Sequence, residues 1–273
     1  MACRVLGTVV LWSLIAVLGL TACGGGATED VSSEPVRRDR TTTTDEPDTT
    51  VPPDLIAAWE MDEPAGARTL EDSGPNHMTG TIGSQVLTGV EEQGATGHRR
   101  SPVEPDASPV APERLAQVPH NELLVPGNGD YAVTFRLRTT SPQGNVVQKG
   151  QYDSQGGYFK IDMDDGRVAC LFLGSGGSSH VRSRQSIADG TWHEVRCVRS
   201  DDDLVLVVDG AEVARRDAVI GSIDNTVPVT IGGKLLCDQT RLFCDYFSGD
   251  IDRVLIERSR SLSTPPPLTP TTR

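Results

Sequence analysis

Carboxylates that alternate along a strand are the first residues here with a spacing suited to chemistry. Retaining glycan hydrolases need two carboxyl groups about 5–5.5 Å apart, one of them an acid with a raised pKa. Alternate residues of one strand provide that separation. Glu60 and Asp62 alternate in this way, and so do Asp162 and Asp164. Asp164 also opens the sequence Asp-Asp-Gly, which is more simply interpreted as a turn.

Nucleophiles and histidines lack the spacing that catalysis or metal binding requires. Serine is frequent in loops, but no Gly-x-Ser-x-Gly sequence occurs. Histidines are scattered without a pattern such as His-Glu-x-x-His, at His77, His98, His120, His180 and His193. His193 follows Trp192 at the start of a predicted strand, where a structural role is the simpler interpretation. The sequence predicts no catalytic residue.

The start of the chain predicts a secretion signal. Arg4 precedes an apolar run from Val5 to Leu20, which ends in Leu20-Thr21-Ala22-Cys23. A basic residue, an apolar stretch and a small-residue cleavage site are the parts of a signal peptide. The run is a little short for a membrane-spanning helix. We therefore expect residues 1–22 to be a signal peptide.

The sequence at Cys23 predicts a lipid anchor. Leu20 to Cys23 resembles the lipobox of bacterial lipoproteins, in which the cysteine receives a diacylglycerol and becomes the first residue after cleavage. Two or more acyl chains hold a protein stably on a membrane. We expect a lipid-anchored protein on the cell membrane that faces outside the cytoplasm. The alternative is an ordinary secretory signal that ends near a cysteine.

Polar segments flank a central region of ordinary composition. Residues 23–53 are rich in Gly, Thr, Asp, Glu and Pro and cannot bury enough apolar surface to offset the entropy of ordering, which predicts a disordered tether. Residues 259–273 form a similar Pro- and Thr-rich tail. Residues 54–258, about 200 in number, suit one domain of the larger β type.

Cysteines in the central region predict two disulfides. Six cysteines less Cys3 and Cys23 leave an even number, which outside the cytoplasm suggests pairing; they are Cys170, Cys197, Cys237 and Cys244. Cys170 and Cys197 each share a strand face with apolar residues and should point into the core. If their strands are neighbours, the two lie at bridging distance. Of three possible connectivities we favour Cys170–Cys197 and Cys237–Cys244.

Short runs of alternating or β-branched residues between turns predict an antiparallel β-sandwich. The predicted strands are Leu55–Met61, Tyr131–Arg138, Asn145–Gln148, Tyr158–Met163, Arg167–Leu173, Trp192–Arg199, Leu204–Val208, Glu212–Arg215, Val227–Ile231 and Asp250–Ile256. Asp164-Asp165-Gly166 and Asp209-Gly210 should form tight turns, since Asp and Gly tolerate positive φ. Between Gly97 and Asn128, repeated prolines argue against a central strand and predict a long excursion or surface loop.

Several segments, taken in order, resemble the laminin G-like, concanavalin A-like jelly-roll family over nearly all of residues 54–257. The segments are Ala57–Glu63 followed by Asp72–His77, Tyr131–Phe135, Gly156–Ile161, Asp189–Val195, Leu206–Gly210 and Phe247–Val254. The resemblance implies an all-β, two-sheet antiparallel sandwich whose last strand returns beside the first. The chain departs from the family's pattern in the Pro-rich stretch after Gly97.

The resemblance bears on two chemical hypotheses, glycan hydrolysis and calcium binding. Related hydrolases carry Glu-x-Asp-x-Glu on a strand, but here Pro64 stands where the second Glu should be, so we expect no enzyme. Such domains often bind structural calcium at a rim. If the first and last strands pair, acidic oxygens converge and would favour Ca²⁺, with the candidate ligands Asp62, Asp72, Asn76 and Asp252. The alternative is that these are turn and cap residues bonded to the backbone.

The functional expectation is a non-catalytic binding module that recognises a surface glycan or protein. A structural envelope role and a glycan hydrolase are the alternatives. Trp59 and Trp192 lie in expected core strands, which leaves few aromatic residues for stacking on sugars. Candidate exposed contacts are Tyr152, His180, Arg182, Arg184 and Arg241, all at loop or edge positions, and the alternative is that they form a solvated face. The net charge of −13 opposes nucleic acid as a partner.

Overall fold

The computed structural model describes residues 55–92, 95–100, 113–200, 202–235 and 245–259. They form sixteen strands and a short 3-10 helix at Glu122–Leu124. The first eight strands are β1 (Leu55–Trp59), β2 (Thr69–Leu70), β3 (Gly80–Ile82), β4 (Leu87–Glu92), β5 (Ala95–Arg100), β6 (Ala116–Val118), β7 (Asp130–Arg138) and β8 (Gly144–Lys149). The others are β9 (Tyr158–Asp164), β10 (Arg167–Gly174), β11 (Gly177–Arg182), β12 (Trp192–Arg199), β13 (Asp203–Val208), β14 (Ala211–Asp217), β15 (Val229–Ile231) and β16 (Gly249–Ser259).

The strands form two antiparallel sheets with one main core between them. The first sheet has the order β14-β13-β12-β7-β16-β5-β4, with β1 also beside β16. The second sheet has the order β11-β10-β9-β8-β15-β6-β3-β2. The predicted all-β sandwich is therefore confirmed, and each of the ten predicted strands is present with small shifts at its ends.

Alternation along the central strands builds the core. In β7 the residues Tyr131, Val133, Phe135 and Leu137 are fully buried on the inner face. The Tyr131 ring lies 5.5 Å from that of Phe159 in the opposite sheet, measured between ring centroids. Burying each such side chain contributes on the order of 1.5–3 kcal/mol. The period of two residues thus fixes which side chains remain for the outer faces.

The last strand returns beside the first, as the resemblance implies. β16 pairs antiparallel with β1, with Trp59 opposite Val254, and with β7 on its other side. Trp59 is fully buried, and its Nε1 donates a hydrogen bond to the Met78 carbonyl at 2.9 Å. The prediction that Trp59 belongs to the core is confirmed.

Both predicted tight turns are present. Asp165 and Gly166 have φ values of 54° and 75°, and Asp209 and Gly210 have 50° and 78°. Two consecutive residues with positive φ are typical of the hairpin turn that matches the twist of the flanking strands. These turns connect β9 to β10 and β13 to β14.

The expectation that prolines exclude a central strand from the segment 97–128 is wrong. β5 extends into this segment, and β6 lies inside it and occupies an interior position between β15 and β3. The three residues Ala116–Val118 contain no proline, and Pro119 follows only after the last ladder position. The flanking prolines therefore limit the length of this strand and do not prevent its pairing. Residues 101–112 lie outside the described residues.

A disulfide joins the two sheets. Cys170 of β10 bonds Cys197 of β12, with the Cα atoms 6.3 Å apart. The predicted pairing is confirmed, but its geometric reason is different, because β10 and β12 lie in opposite sheets rather than side by side. Both cysteines are fully buried. Cys237 and Cys244 lie outside the described residues.

Candidate functional site

The outer face of β9, β10 and β11 carries polar and aromatic side chains that do not pack in the core. Because Phe159, Ile161 and Met163 point into the core, alternate residues of β9 point outward. Across the sheet, Lys160 is opposite Leu171, which is opposite His180. We name this surface the β9–β11 face and define it by the outward side chains Tyr158, Lys160, Asp162, Leu171 and His180, together with Tyr152 in the loop before β9.

An ion pair occupies the middle of the β9–β11 face. Lys160 Nζ lies 2.6 Å from Asp162 Oδ2 and 4.0 Å from Asp245 Oδ2. Burial alone would lower the pKa of Lys160, but its attraction to Asp162 and Asp245 outweighs burial and raises that pKa. Lys160 therefore stays protonated at neutral pH, with carboxylate oxygens beside its ammonium group.

Tyr152 supplies the exposed aromatic ring of the β9–β11 face. It is 78% exposed in the loop that joins β8 to β9. Burial raises the pKa of Tyr158, with Lys160 opposing and Tyr152 adding to the rise, so the two tyrosines lie within electrostatic range of each other. An exposed tyrosine beside hydrogen-bonding groups is a usual feature of a recognition surface.

Glycines hold the loop that carries Tyr152 close to the sheet. Gly156 has a φ of 84°, and a Cβ atom there would lie 1.8 Å from the Asp224 carbonyl oxygen. At Gly157, with a φ of 81°, a Cβ atom would lie 2.2 Å from the Leu173 carbonyl oxygen. No other residue fits both the conformation and the close approach. The loop end is therefore fixed against neighbouring backbone.

The described ends of the connection from β15 to β16, residues 232–235 and 245–248, lie beside β8 and β15. The backbone N–H of Asn145 donates to the Asp245 carbonyl at 2.7 Å, and Thr230 Oγ1 donates to the Gly233 carbonyl at 2.8 Å. Gln148 and Thr230 are buried although they point away from the core. The outer side of β8 and β15 is thus covered, whereas that of β9 to β11 carries partly exposed side chains.

His180 lies at the edge of the face as a neutral group at pH 7. Burial lowers its pKa, and the positive charges of Arg216 and Arg182 lower it further. Asp162 acts in the opposite direction but does not reverse the shift. The neutral imidazole offers one donor and one acceptor to a ligand.

The structure places the predicted contact residues in different settings. Tyr152 and His180 belong to the β9–β11 face. Arg182, in the edge strand β11, forms an ion pair with Asp164. Arg184 is exposed just after β11. Arg241 lies outside the described residues. The sequence indicated exposed positions but gave no sign that Lys160 and Asp162 would join Tyr152.

Two of the four predicted calcium ligands are engaged by backbone. Asp72 Oδ1 accepts hydrogen bonds from the N–H groups of Ala58 and Gly74, at 2.8 and 2.7 Å. Its Oδ2 accepts from the Met78 N–H at 2.6 Å. Asn76 Nδ2 donates to the Ile56 carbonyl at 2.8 Å. These contacts are the turn and cap bonds of the alternative interpretation.

The other two predicted ligands, Asp62 and Asp252, lie within electrostatic range of each other. Burial raises the pKa of Asp252, Arg136 opposes the rise through an ion pair, and Asp62 adds to it. Within the described ranges, no group of three or more His, Cys, Asp or Glu residues is arranged to hold a metal ion. Calcium binding stays a prediction, tested by a melting-temperature titration of the chelated protein.

Of the carboxylates considered for hydrolysis, Glu60 and Asp62 do not lie on a strand, whereas Asp162 and Asp164 alternate on β9 and are each engaged by a cation. β1 ends at Trp59, before Glu60, and Met61 has a φ of 60°, which interrupts the strand geometry. The Met61 side chain turns into the core. Burial raises the pKa of Glu60, with Arg253 opposing. Asp164 is the last residue of β9, directly before the Asp165–Gly166 turn, and it pairs with Arg182.

Trp192 is not a core residue. It stands opposite Arg138 on the outer face of the first sheet, half-buried, with the Arg136 and Arg138 guanidinium carbons 5.1 and 5.0 Å from its ring centroid. The burial of Val195 and Cys197 on the inner face implies this placement, because Trp192 has the opposite parity. The alternation in the sequence was therefore a sufficient signal.

None of the helical structure within the described ranges is both long and apolar enough to cross a membrane. Residues 1–22, Cys23, the tether and residues 260–273 lie outside the described residues.

The chain is similar to laminin G domains. Residues 137–259 match the model of the family described as Laminin G domain. Sex hormone-binding globulin of Oryctolagus cuniculus is 31% identical over 106 residues, which cover 37% of this chain and 26% of that protein. Laminin subunit alpha of Drosophila melanogaster is 25% identical over 162 residues, covering 54% of this chain and 4% of that protein. The matched part thus spans about a quarter or less of these relatives.

Solved structures show the same fold at low identity. Domain 4 of an extracellular arabinanase from Geobacillus stearothermophilus, in complex with arabinotriose, has a TM-score of 0.53 and 13% identity, covering 75% of this chain and 92% of that one. The binding domain of Paraclostridial Mosquitocidal Protein 1 has a TM-score of 0.51 and 14% identity, covering 75% and 48%. The chain therefore contains a laminin G-like jelly roll, and the predicted resemblance is confirmed.

Proposed function

We propose that this protein is an exported, non-catalytic binding module that recognises a glycan or protein outside the cytoplasm through the β9–β11 face. The observation that carries the proposal is the exposed ring of Tyr152 on the same face as the Lys160–Asp162 ion pair, with Tyr158 within electrostatic range of both Tyr152 and Lys160. Aromatic rings next to hydrogen-bonding groups give affinity and orientation together. The face is built on three paired strands, which hold Lys160 and Asp162 in fixed positions.

The comparisons support binding rather than catalysis. Similar proteins include a hormone-binding globulin and laminin, and the fold neighbours include a domain in complex with arabinotriose and the binding domain of a mosquitocidal protein. A shared fold does not transfer a ligand. The interrupted strand at Glu60 and Asp62 removes the pair of carboxylates that a hydrolase of this fold would use.

The proposal includes membrane anchoring. A signal peptide at residues 1–22, a lipid on Cys23 and a tether up to residue 53 would display the domain on the cell surface. A random coil of thirty residues spans roughly 30 Å, which separates the domain from the bilayer. Mass spectrometry of the membrane fraction tests this part, since a diacylglycerol-modified Cys23 at the N-terminus is expected and an unmodified secreted chain would contradict it.

Arrays of glycans and secreted proteins test the binding function. The mature chain should bind at least one component, and Tyr152→Ala should reduce that signal. Leu87→Ala also truncates an exposed apolar side chain, in β4 of the other sheet, and should leave the signal intact. A chain that binds nothing on either array would contradict the proposal and favour a structural role. Release of reducing sugar from a polysaccharide would favour the hydrolase.

A further inference from the structure

We infer that the ligand of the β9–β11 face is an uncharged glycan, with one sugar ring stacked on Tyr152 and neighbouring hydroxyls bound by the Lys160–Asp162 pair. This inference rests on the proposed function and names the ligand class of the same site. Three features carry it: the compensation of charge on Lys160, the geometry of the ion pair and the exposure of Tyr152.

Charge compensation argues against an acidic glycan. Lys160 faces two carboxylates, Asp162 at 2.6 Å and Asp245 at 4.0 Å. A sulfate or carboxylate on a ligand would approach Lys160 against both of these negative charges and against a chain with a net charge of −13. An uncharged ligand meets no such repulsion. The centre of the face therefore selects for neutral molecules.

The ion pair suits two adjacent hydroxyl groups. Lys160 donates hydrogen bonds only, and the Asp162 carboxylate accepts them only. A sugar hydroxyl both donates and accepts, so one hydroxyl can donate to Asp162 while its neighbour accepts from Lys160. The groups that would bind them are 2.6 Å apart. Charge-assisted hydrogen bonds of this kind are stronger than those between neutral groups.

Partial burial prepares the pair for a ligand. The Lys160 and Asp162 side chains are 26% and 15% exposed, so some of their hydration is already lost in the free protein. Each partner holds the other in place, which reduces the side-chain ordering that binding would cost. Tyr152, at 78% exposed, offers a rigid ring for the apolar C–H face of a sugar.

The strands set the direction of the ligand. Lys160, Leu171 and His180 lie in one row across β9, β10 and β11. Adjacent strands are about 4.8 Å apart, so the row spans roughly 10 Å. That length holds about two sugar residues. His180, neutral at pH 7, offers a donor and an acceptor at the end of the row without adding charge.

Affinity electrophoresis of the mature chain in gels containing soluble polysaccharides tests the inference. The neutral probes are arabinan, xylan, mannan and a mixed-linkage β-glucan, and the acidic probe is heparin, all in 0.15 M salt. We expect retardation by at least one neutral polysaccharide and none by heparin. Tyr152→Ala and Asp162→Asn should each weaken binding by about tenfold or more, the size expected of a central contact residue.

Controls separate the site from the fold. Tyr152→Phe keeps the ring and should retain most of the affinity, and Leu87→Ala should bind as the unaltered chain does. Neutral binding that survives both Tyr152→Ala and Asp162→Asn would overturn the assignment of the site. Retardation by heparin alone, or capture only of a protein in a Tyr152-dependent manner, would overturn the glycan class and leave the proposed function standing. Absence of binding to polysaccharides and to both arrays would overturn the two together.

Discussion

Cys170 and Cys197 connect opposite sheets of the sandwich through a bond that lies inside the core. The 27-residue separation of these cysteines closes a loop that contains all of β11 and the whole connection to β12. Because β11 is an edge strand of the candidate binding surface, the bond also limits how far that edge can move from the first sheet.

Replacing both cysteines should destabilise the fold. For Cys170→Ala combined with Cys197→Ala, the chain-entropy model gives a loss of about 3–4 kcal/mol in the free energy of unfolding. Urea denaturation monitored by tryptophan fluorescence measures it. The same double replacement at Cys237 and Cys244, whose predicted loop is shorter, should cost about 2–3 kcal/mol. An unchanged midpoint for the first double variant would show that the inter-sheet bond does not stabilise the chain.

Asp72 should be required for stability through its backbone contacts. Asp72→Ala leaves the buried N–H groups of Ala58, Gly74 and Met78 without their acceptor. We expect a loss of at least about 2 kcal/mol. Asp217→Ala, on an exposed strand end, serves as the control and should change stability little. Equal urea midpoints for the two variants would mean that the Asp72 contacts do not matter.

His193 should make stability depend on pH as its imidazole titrates. Its Nδ1 lies 2.7 Å from Asp209 Oδ2 and its Nε2 lies 3.2 Å from Asp189 Oδ1. Burial lowers the pKa of His193, but hydrogen bonds to the two carboxylates outweigh burial and raise it. A raised pKa contributes stability that is fully present below the unfolded value of about 6.5 and is lost as pH rises through the folded value.

His193→Gln should remove that dependence. The difference in melting temperature between the unaltered chain and His193→Gln should be largest near pH 6 and should shrink towards pH 9. His77→Asn, at an exposed histidine whose φ of 50° Asn also tolerates, is the control and should lose little stability. A constant difference across this range would contradict the assignment of the charged imidazole.

The buried Glu63–His98 pair should stabilise the fold at neutral pH and lose that contribution at acid pH. His98 Nε2 lies 2.6 Å from Glu63 Oε2, and Glu63 Oε1 accepts from the Glu71 N–H at 2.8 Å. Burial would raise the pKa of Glu63, but its hydrogen bonds to His98 and Glu71 outweigh burial and lower it. The lowered pKa contributes stability above the unfolded value of about 4.3, and that stability is lost as pH falls through the folded value.

Removing His98 should expose the contribution of this pair. His98→Ala leaves a buried carboxylate without its partner and should cost about 3 kcal/mol at pH 7. The acid-induced fall in stability should be shallower in this variant than in the unaltered chain. Guanidinium unfolding at pH 7 and pH 4 measures both effects. A variant as stable as the unaltered chain at pH 7 would contradict a stabilising role for the pair.

The sequence was most informative in strands whose successive residues point alternately to the core and to the outer face. β7, β9 and β12 alternate clearly, and their bounds and inner faces agree with the structure. β11 was missed because Gly177-Ser178-Ser179-His180 contains no apolar residue, and only tertiary contacts make it a strand. β6 was missed because three residues between prolines show no period.

The candidate site was only partly predictable for a similar reason. Tyr152 and His180 were recognisable as exposed positions from their loop and edge context. Lys160 and Asp245 are 85 residues apart in the sequence, and no local pattern specifies that they meet. The position of Trp192, by contrast, was predictable. Val195 and Cys197 point into the core, and strand alternation places Trp192 on the opposite face.

The central claim is that the β9–β11 face is the ligand-binding surface. Amide chemical-shift mapping of the mature chain, titrated with oligosaccharides from whichever neutral polysaccharide retards it most, tests this claim most directly. The account predicts that the largest shifts fall in residues 150–182, centred on Tyr152, Lys160 and Asp162. Shifts confined to the first sheet, or to the loops around Asp62 and Asp72, would contradict it.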